Sequence, residues 1–250
     1  MIVSMKDNFF SPIAREYARF RPTYPKELFS YLASIAPAKS IAWDCATGSG
    51  QAATSLADHF DRVIATDISD ELLARATPHP RIEFRKADAA ASGIDSASID
   101  LITVANAMHW FHGEAFNKEV KRVLRPKGII AAWSYAIAEI SPEIDPILRH
   151  LHNVILDPFW IGPNRIVEHA YRDLELPFAA IATPTFIMEE RFTLERLLGY
   201  LGTWSAAVKY RKHHGVGPVG LVSDELKALW GDPTSLRVVK WPMALRVARA

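Results

Sequence analysis

Three carboxylates and two glycines in this chain have the types and the spacing to hold a nucleoside. Asp44 follows an apolar run, Ser40 to Trp43, that reads as a buried parallel strand. A turn of small residues comes next, Ala46-Thr47-Gly48-Ser49-Gly50, in which Gly48 and Gly50 let the backbone approach a ligand; Gln51 to Ala57 can then start a helix. Twenty-three residues after Asp44, Asp67 closes a second short strand, Val63 to Thr66. In a β-α-β unit these two strand ends lie side by side. Asp67 can therefore accept hydrogen bonds from both ribose hydroxyls of a nucleoside lying across the glycine turn. Asp88 stands just beyond a third candidate strand, Arg81 to Lys86. Asp44 or Asp67 alone could serve only to cap a following helix. All three acids at successive strand ends point to a ligand, and the layout suits adenosine.

The elements that must position these groups alternate in the first half of the chain, the signature of a doubly wound parallel sheet. Pro25 fits the first position of an opening helix whose Leu28, Phe29, Leu32 and Ile35 share one face before Pro37. Ser69 can cap a helix with Asp70 and Glu71 in its first turn and Leu72, Leu73 and Ala76 as its buried face. Ile99 to Val104 is a fourth, nearly continuous apolar strand. A helix carrying Phe116, Val120, Val123 and Leu124 follows, and Pro126-Lys127-Gly128 turns into a fifth strand, Ile129 to Trp133.

Beyond Ser134 five prolines, at 142, 146, 158, 163 and 177, cut the chain into short helical pieces. Thr185 to Met188 reads as a strand, Thr193 and Ser223 can each cap a helix, and Leu236 to Val247 reads as a last strand that Pro242 pushes towards an edge or a bulge. The expected fold is α/β: a doubly wound, seven-stranded, mostly parallel, Rossmann-like sheet with helical cap insertions. One domain spans 1–250, with N-terminal lid helices at 1–38, a cofactor-binding core at 39–135, caps at 136–182 and 192–232, and final strands at 183–191 and 235–249.

Composition narrows the partners. The chain has 250 residues, 49% of them hydrophobic, enough for a substantial core, and a formal charge of +1 gives no global reason to expect nucleic acid or an anionic membrane. A small molecule is the expected partner. Cys45 is the only cysteine, so no intrachain disulfide and no thiol cluster for zinc can form. Lys6 and Asp7 stand where a signal peptide would be apolar, and no run reaches membrane-span length, so the expected location is cytoplasmic, as a monomer or homodimer.

Asp44 to Gln51, Asp67, Asp88 and Asp100 to Trp110 together resemble class I S-adenosylmethionine-dependent methyltransferases over roughly the first 135 positions. Tyr17 to Pro25, Ala105-Asn106-Ala107-Met108-His109-Trp110 and the tryptophan-rich end are similar to the branch containing trans-aconitate and cantharidin methyltransferases. The resemblance implies that the turn Ala46 to Gly50, with Gln51, holds the methionine part of S-adenosylmethionine. It implies that Asp67, with Ile68 beside it, binds the ribose end, that Asp88 and the Ala89 amide read the adenine amino edge, and that the Ala105 backbone meets the cofactor's amino group. Tyr17 or Arg21, four residues apart on a lid helix, would approach the methionine carboxylate; a solvated surface helix is the alternative. The product would be S-adenosylhomocysteine. The cofactor's positive sulfonium and amino group suit a carboxylate such as Asp44. One departure is Ala46, where the family usually carries glycine.

The same glycines satisfy a dinucleotide pattern, Gly48 to Ala53, which makes an NAD-dependent oxidoreductase the rival enzyme. A non-catalytic S-adenosylmethionine-binding regulatory module is the rival of another class. His109 and Trp110 follow the fourth strand, where open α/β sheets place ligands, so His109 is the catalytic candidate and Trp110 a substrate contact. An amine or hydroxyl acceptor would use His109 as a base, a carboxylate would not, and an imidazole that merely packs is the alternative. The run Trp204 to His214 could bind an anionic or aromatic substrate through Trp204, Tyr210 and Arg211, or be a solvated helix face. The resemblance favours a carboxylic-acid oxygen as acceptor, with Arg21, Tyr210 and Arg211 as its partners. His109 with His112, and His213 with His214, have metal-like spacing but no nearby acidic cluster, so no metal is expected.

Overall fold

The computed structural model describes residues 19–111, 113–160, 162, 167, 170–172 and 174–250. Two compact units emerge. One is built from Thr23–Ala136, Ile166–Phe186 and Met243–Ala250, the other from the segment ending at Pro22 with Ile137–Arg165 and Ile187–Pro242.

The first unit holds a seven-stranded sheet in the order β3-β2-β1-β4-β5-β8-β6. Its strands are β1 (Ile41–Cys45), β2 (Arg62–Asp67), β3 (Ile82–Lys86), β4 (Ile99–Ala105), β5 (Leu124–Tyr135), β6 (Ala179–Ile181) and the later half of β8 (Arg237–Arg249). β1 to β5 pair in parallel, and β8 runs antiparallel to both β5 and β6. The α/β, mostly parallel sheet expected from the sequence is therefore present. The chain leaves β1 outward through β2 and β3, then returns to place β4 on β1's other side. Between β1 and β4 the winding reverses, and crevices at such points are where open α/β sheets bind ligands, outside the strands' carboxyl ends.

Two apolar layers cover the sheet. Helices α1 (Lys26–Ile35) and α2 (Gln51–Leu56) bury Leu28, Phe29, Leu32, Ala52, Ala53 and Leu56 against Ala42, Val63, Ala65, Leu101 and Trp133. On the other face α4 (Glu114–Val123) buries Phe116, Val120 and Val123 against Trp43, Ile102, Val104 and Ile130, joined there by Tyr171 and Leu174. The short α3 (Asp70–Leu73) lies between β2 and β3 and is capped by Ser69, whose hydroxyl accepts from the Leu72 amide at 3.3 Å. Its Leu72 and Leu73, and Ala76 just beyond it, are only half-buried. Pro25 sits one position earlier than expected, as the N-cap of α1.

The second unit contains α5 (Asp145–His150), α6 (Leu194–Gly202), α7 (Ser205–His214), α8 (Ser223–Trp230) and β7 (Ile187–Phe192). β7 pairs antiparallel with Arg237–Pro242 of β8. Its interior is aromatic: Phe192, Tyr200, Trp230 and Trp241 are buried, and the Trp241 indole donates to the Tyr200 hydroxyl at 3.0 Å. Thr193 caps α6, accepting from the Arg196 amide at 3.3 Å. Ser223 does not cap α8; it is the first helical residue, and its hydroxyl donates to the Gly220 carbonyl.

Three differences from the sequence reading concern strands. β6 lies inside the 136–182 stretch read as cap. β5 begins at Leu124, so the Pro126-Lys127-Gly128 turn falls within the strand, with Lys127 at φ +66° and a register shift opposite Ile99 and Leu101. β8 runs through Pro242, which pairs with Ile187; the proline stands at the change of partner, where the first half on β7 gives way to the half on β5. Among the described residues no helix is long and apolar enough to cross a membrane.

Candidate functional site

The carboxyl ends of β1 and β2 form one bonded cluster around two buried acids. Asp44, wholly buried, accepts from the Thr103 hydroxyl of β4 at 2.7 Å through Oδ1 and from the Thr47 hydroxyl through Oδ2. Asp67 accepts from the Ser69 amide at 2.9 Å through Oδ1 and from the Gly48 amide at 2.8 Å through Oδ2. A second bond, from the Thr47 amide to the Thr66 carbonyl at 2.9 Å, fastens the turn to β2. The glycine turn is thus tied to the acid beside it.

Neither acid is neutralised by a cation among the described residues. Burial pushes the Asp44 carboxyl up to about 6, against the downward pull of the Thr47 and Thr103 hydroxyls, and the Asp67 charge adds to the rise. Burial also raises Asp67, countered by the amides of Ser69, Gly48 and Ile68. Two charges held without a counter-ion suit a cationic ligand.

The turn is shaped for close approach. Gly48 has φ +60°, and a Cβ there would meet nothing within 4 Å. Gly50, at φ +88° and N-cap of α2, is required for another reason: its Cβ would lie 2.8 Å from the Phe84 ring. Ala46 adopts φ +57° although it has a side chain, so the turn keeps the left-handed conformation at a cost of roughly 1 kcal/mol. Gln51 opens α2. Ile68, next to Asp67, is 40% exposed and leaves an apolar surface beside the acid. A carboxylate has about four acceptor positions, so Asp67 keeps capacity for further donors beyond the Ser69 and Gly48 amides. These are the features an adenosyl cofactor with a cationic amino-acid end requires, and the residues fit it.

Asp88 is exposed and turns its own loop, its Oδ1 accepting from the Ala90 amide at 2.8 Å, with Ala89 half-buried. That loop is braced from α4: buried Glu119 accepts from the Ser92 amide at 2.9 Å and binds Arg122 through two bonds of 2.8 and 2.7 Å. These partners hold the Glu119 carboxyl down to about 2, with the Arg122 guanidinium as the largest cause. Asp100 belongs to the opposite end of β4. It accepts from the Ser40 and Ile41 amides, both at 2.9 Å, and pairs with Arg125 at 2.7 Å, a bracing role.

Ala105, the last residue of β4, is half-buried, and Asn106 turns the chain at φ +50°. A single 3-10 turn, Met108–Trp110, then buries His109 to 4% exposure with the Trp110 ring 4.8 Å away. His109 Nδ1 lies 3.0 Å from the hydroxyl of Tyr171. Tyr171, Thr47 and Thr103 escaped the sequence reading. Thr47 could have been found from its spacing after Asp44, but Tyr171, sixty-two positions from its partner, carries no local signal.

The remaining candidates belong to the second unit. Arg21 donates to the Thr203 hydroxyl at 3.1 Å and lies over the Tyr200 ring. Trp204 is buried among His152, Trp160 and Tyr200, Tyr210 packs on Phe159 and His214, and Arg211 is exposed. Tyr17 and His112 lie outside the described residues. Among those described, no three His, Cys, Asp or Glu side chains group as a metal site.

Comparison with known proteins decides between the cofactors. The family described as "methyltransferase domain" matches residues 43–132, which include the turn, both acids and the segment after β4. A Dictyostelium discoideum protein provisionally named a methyltransferase is 32% identical over 210 residues, covering 82% of this chain and 80% of that protein. The chain belongs to the S-adenosylmethionine-dependent methyltransferases. The dehydrogenase reading of Gly48 to Ala53 is thereby set aside. A solved structure of a provisionally assigned type II methyltransferase from Anaeromyxobacter dehalogenans superposes on this methyltransferase with a TM-score of 0.86 at 40% identity, covering 92% of this chain and 98% of that one. A Saccharomyces cerevisiae protein provisionally named an S-adenosylmethionine-dependent methyltransferase is 31% identical over 137 residues, 51% of this chain and 45% of that protein.

Proposed function

We propose that this methyltransferase makes methyl esters, transferring a methyl group to an oxygen of a small carboxylic acid, as the resemblance to the trans-aconitate branch suggests. When bound, S-adenosylmethionine supplies an electrophilic methyl on a positively charged sulfur. Asp67 would hold the ribose hydroxyls, Ile68 and the Asp88–Ala89 turn the adenine, and the Ala46–Gly50 turn with the Ala105 backbone the amino-acid end. Asp44 would offset the positive charge from behind the turn.

The observation that supports a carboxylate acceptor is the state of His109. It is the one titratable side chain in Ala105–Trp110, and its Nδ1 is already engaged by Tyr171 at 3.0 Å. A carboxylate is ionised near neutral pH and has no proton to lose, so alignment in a water-poor site is the main contribution asked of the protein. An amine or hydroxyl would ask more of that imidazole. The nearly neutral chain, without a global basic balance, agrees with a small acceptor.

The test is transfer of radiolabelled methyl from S-adenosylmethionine to a panel of carboxylic acids, amines and phenols, followed by mild alkali. Esters release the label as methanol. Label that survives alkali on nitrogen or carbon, with no carboxylic acid turned over, would overturn the reading.

A further inference from the structure

Tyr171 sits in a conformation that its sequence does not favour. Ala170 and Tyr171 are consecutive residues at φ +53° and +54°, the left-handed region that side chains disfavour by about 1 kcal/mol each. Neither is glycine or asparagine. The strained pair delivers the Tyr171 ring, wholly buried, into the apolar layer beside Met108, with its hydroxyl at His109 Nδ1.

We propose that Tyr171 is a positioning residue that locks His109 in the tautomer carrying its hydrogen on Nε2, making the imidazole a hydrogen-bond donor at the carboxyl end of β4 and not a general base. A 3.0 Å contact between a phenol and Nδ1 admits two arrangements: the hydroxyl donates to Nδ1, or Nδ1–H donates to the phenol oxygen. The surroundings of the oxygen decide. The phenol is wholly buried, and burial pushes its pKa up and keeps its hydrogen in place. That hydrogen needs an acceptor, and among the described residues Nδ1 is the one at hydrogen-bond distance. If Nδ1 carried a hydrogen instead, the hydroxyl hydrogen would be left without that partner in a dry interior. A neutral imidazole that accepts at Nδ1 bears its hydrogen on Nε2.

The experiment is nitrogen-15 NMR of the full chain labelled at histidine, at pH 7.5, with His109 assigned by the signals lost in His109→Gln. The expected spectrum shows His109 Nε2 as the protonated, pyrrole-like nitrogen and Nδ1 as the bare, pyridine-like one. In Tyr171→Phe, which keeps the ring and removes the hydroxyl, both signals are expected to move towards the averaged position of exchanging tautomers. A wild-type spectrum with the hydrogen on Nδ1 would overturn the proposal without any Tyr171 variant. So would a folded Tyr171→Phe protein with the wild-type pattern. No methyl acceptor is needed, so the outcome stands apart from that of the ester assay.

Discussion

Buried acids occur in two settings within the sheet-bearing unit, and the contrast separates what binds from what braces. Glu119 on α4 and Asp100 at the start of β4 are each matched with an arginine, Arg122 at 2.7 Å and Arg125 at 2.7 Å, and their remaining lone pairs take backbone or side-chain donors. These are closed arrangements with their charge spent inside the fold. Asp44 and Asp67, at the carboxyl ends of β1 and β2, take neutral donors among the described residues, from threonine hydroxyls and backbone amides. Their direction of titration is the reverse: Glu119 is held down to about 2, whereas Asp44 is pushed up to about 6. Among the described residues the fold pairs Glu119 and Asp100 with arginines and gives Asp44 and Asp67 no cation, an arrangement that suits a cationic ligand at the second pair.

The largest expected effect that would break this contrast is on cofactor affinity. Asp67→Asn would remove the proposed charged acceptor of the ribose hydroxyls, so calorimetric titration with S-adenosylhomocysteine should show a loss of about a hundredfold or more. Next is Arg122→Ala, which strands Glu119 as a buried, unpaired charge. It should lower stability by roughly 2 kcal/mol, or about 4–8 °C in thermal unfolding for a chain of this size, with a smaller loss of cofactor affinity than in Asp67→Asn. A Tm unchanged in Arg122→Ala would show that the pair does not brace the fold.

The pH dependence separates the two acids by sign. Glu119 is depressed below its unfolded value of 4.5 to about 2, so its stabilisation is present above pH 4.5 and lost as pH falls towards 2. Asp44 is raised from 3.8 to about 6, so the native state binds its proton more tightly and stability falls as pH rises between those values. Asp44→Asn should therefore gain on wild type between pH 4.5 and 7.5, by an amount on the order of 2 kcal/mol in denaturant unfolding. The smallest effect is Ala46→Gly, which relieves the φ +57° strain and should raise stability by at most about 1 kcal/mol, or a few degrees in Tm.

Much of this was legible in the chain because it is local. Asp44, Gly48, Gly50 and Asp67 fall within one β-α-β unit, so spacing alone brings them together, and the caps at Ser69 and Thr193 are read from single residues. The apolar runs of β1, β2 and β4 announce strands buried on both faces. What escaped depends on distant pairing. β6 is three residues long and exists only because β8 offers an edge beside it. Thr103 reaches Asp44 through the parallel register of β1 and β4, and Tyr171 reaches His109 through a strained backbone that no propensity foretells. Ser223 misled because a serine ahead of an apolar run can equally be the first helical residue, which it is.

The most direct test of the central claim, that the uncompensated acids await a cationic cofactor, is the affinity of S-adenosylmethionine for wild type and Asp44→Asn by calorimetry from pH 5 to 7.5. Wild-type binding should tighten by roughly tenfold as Asp44 ionises, centred near pH 6, with a flat profile in Asp44→Asn. A flat profile in wild type, or the same slope in both proteins, would contradict that claim.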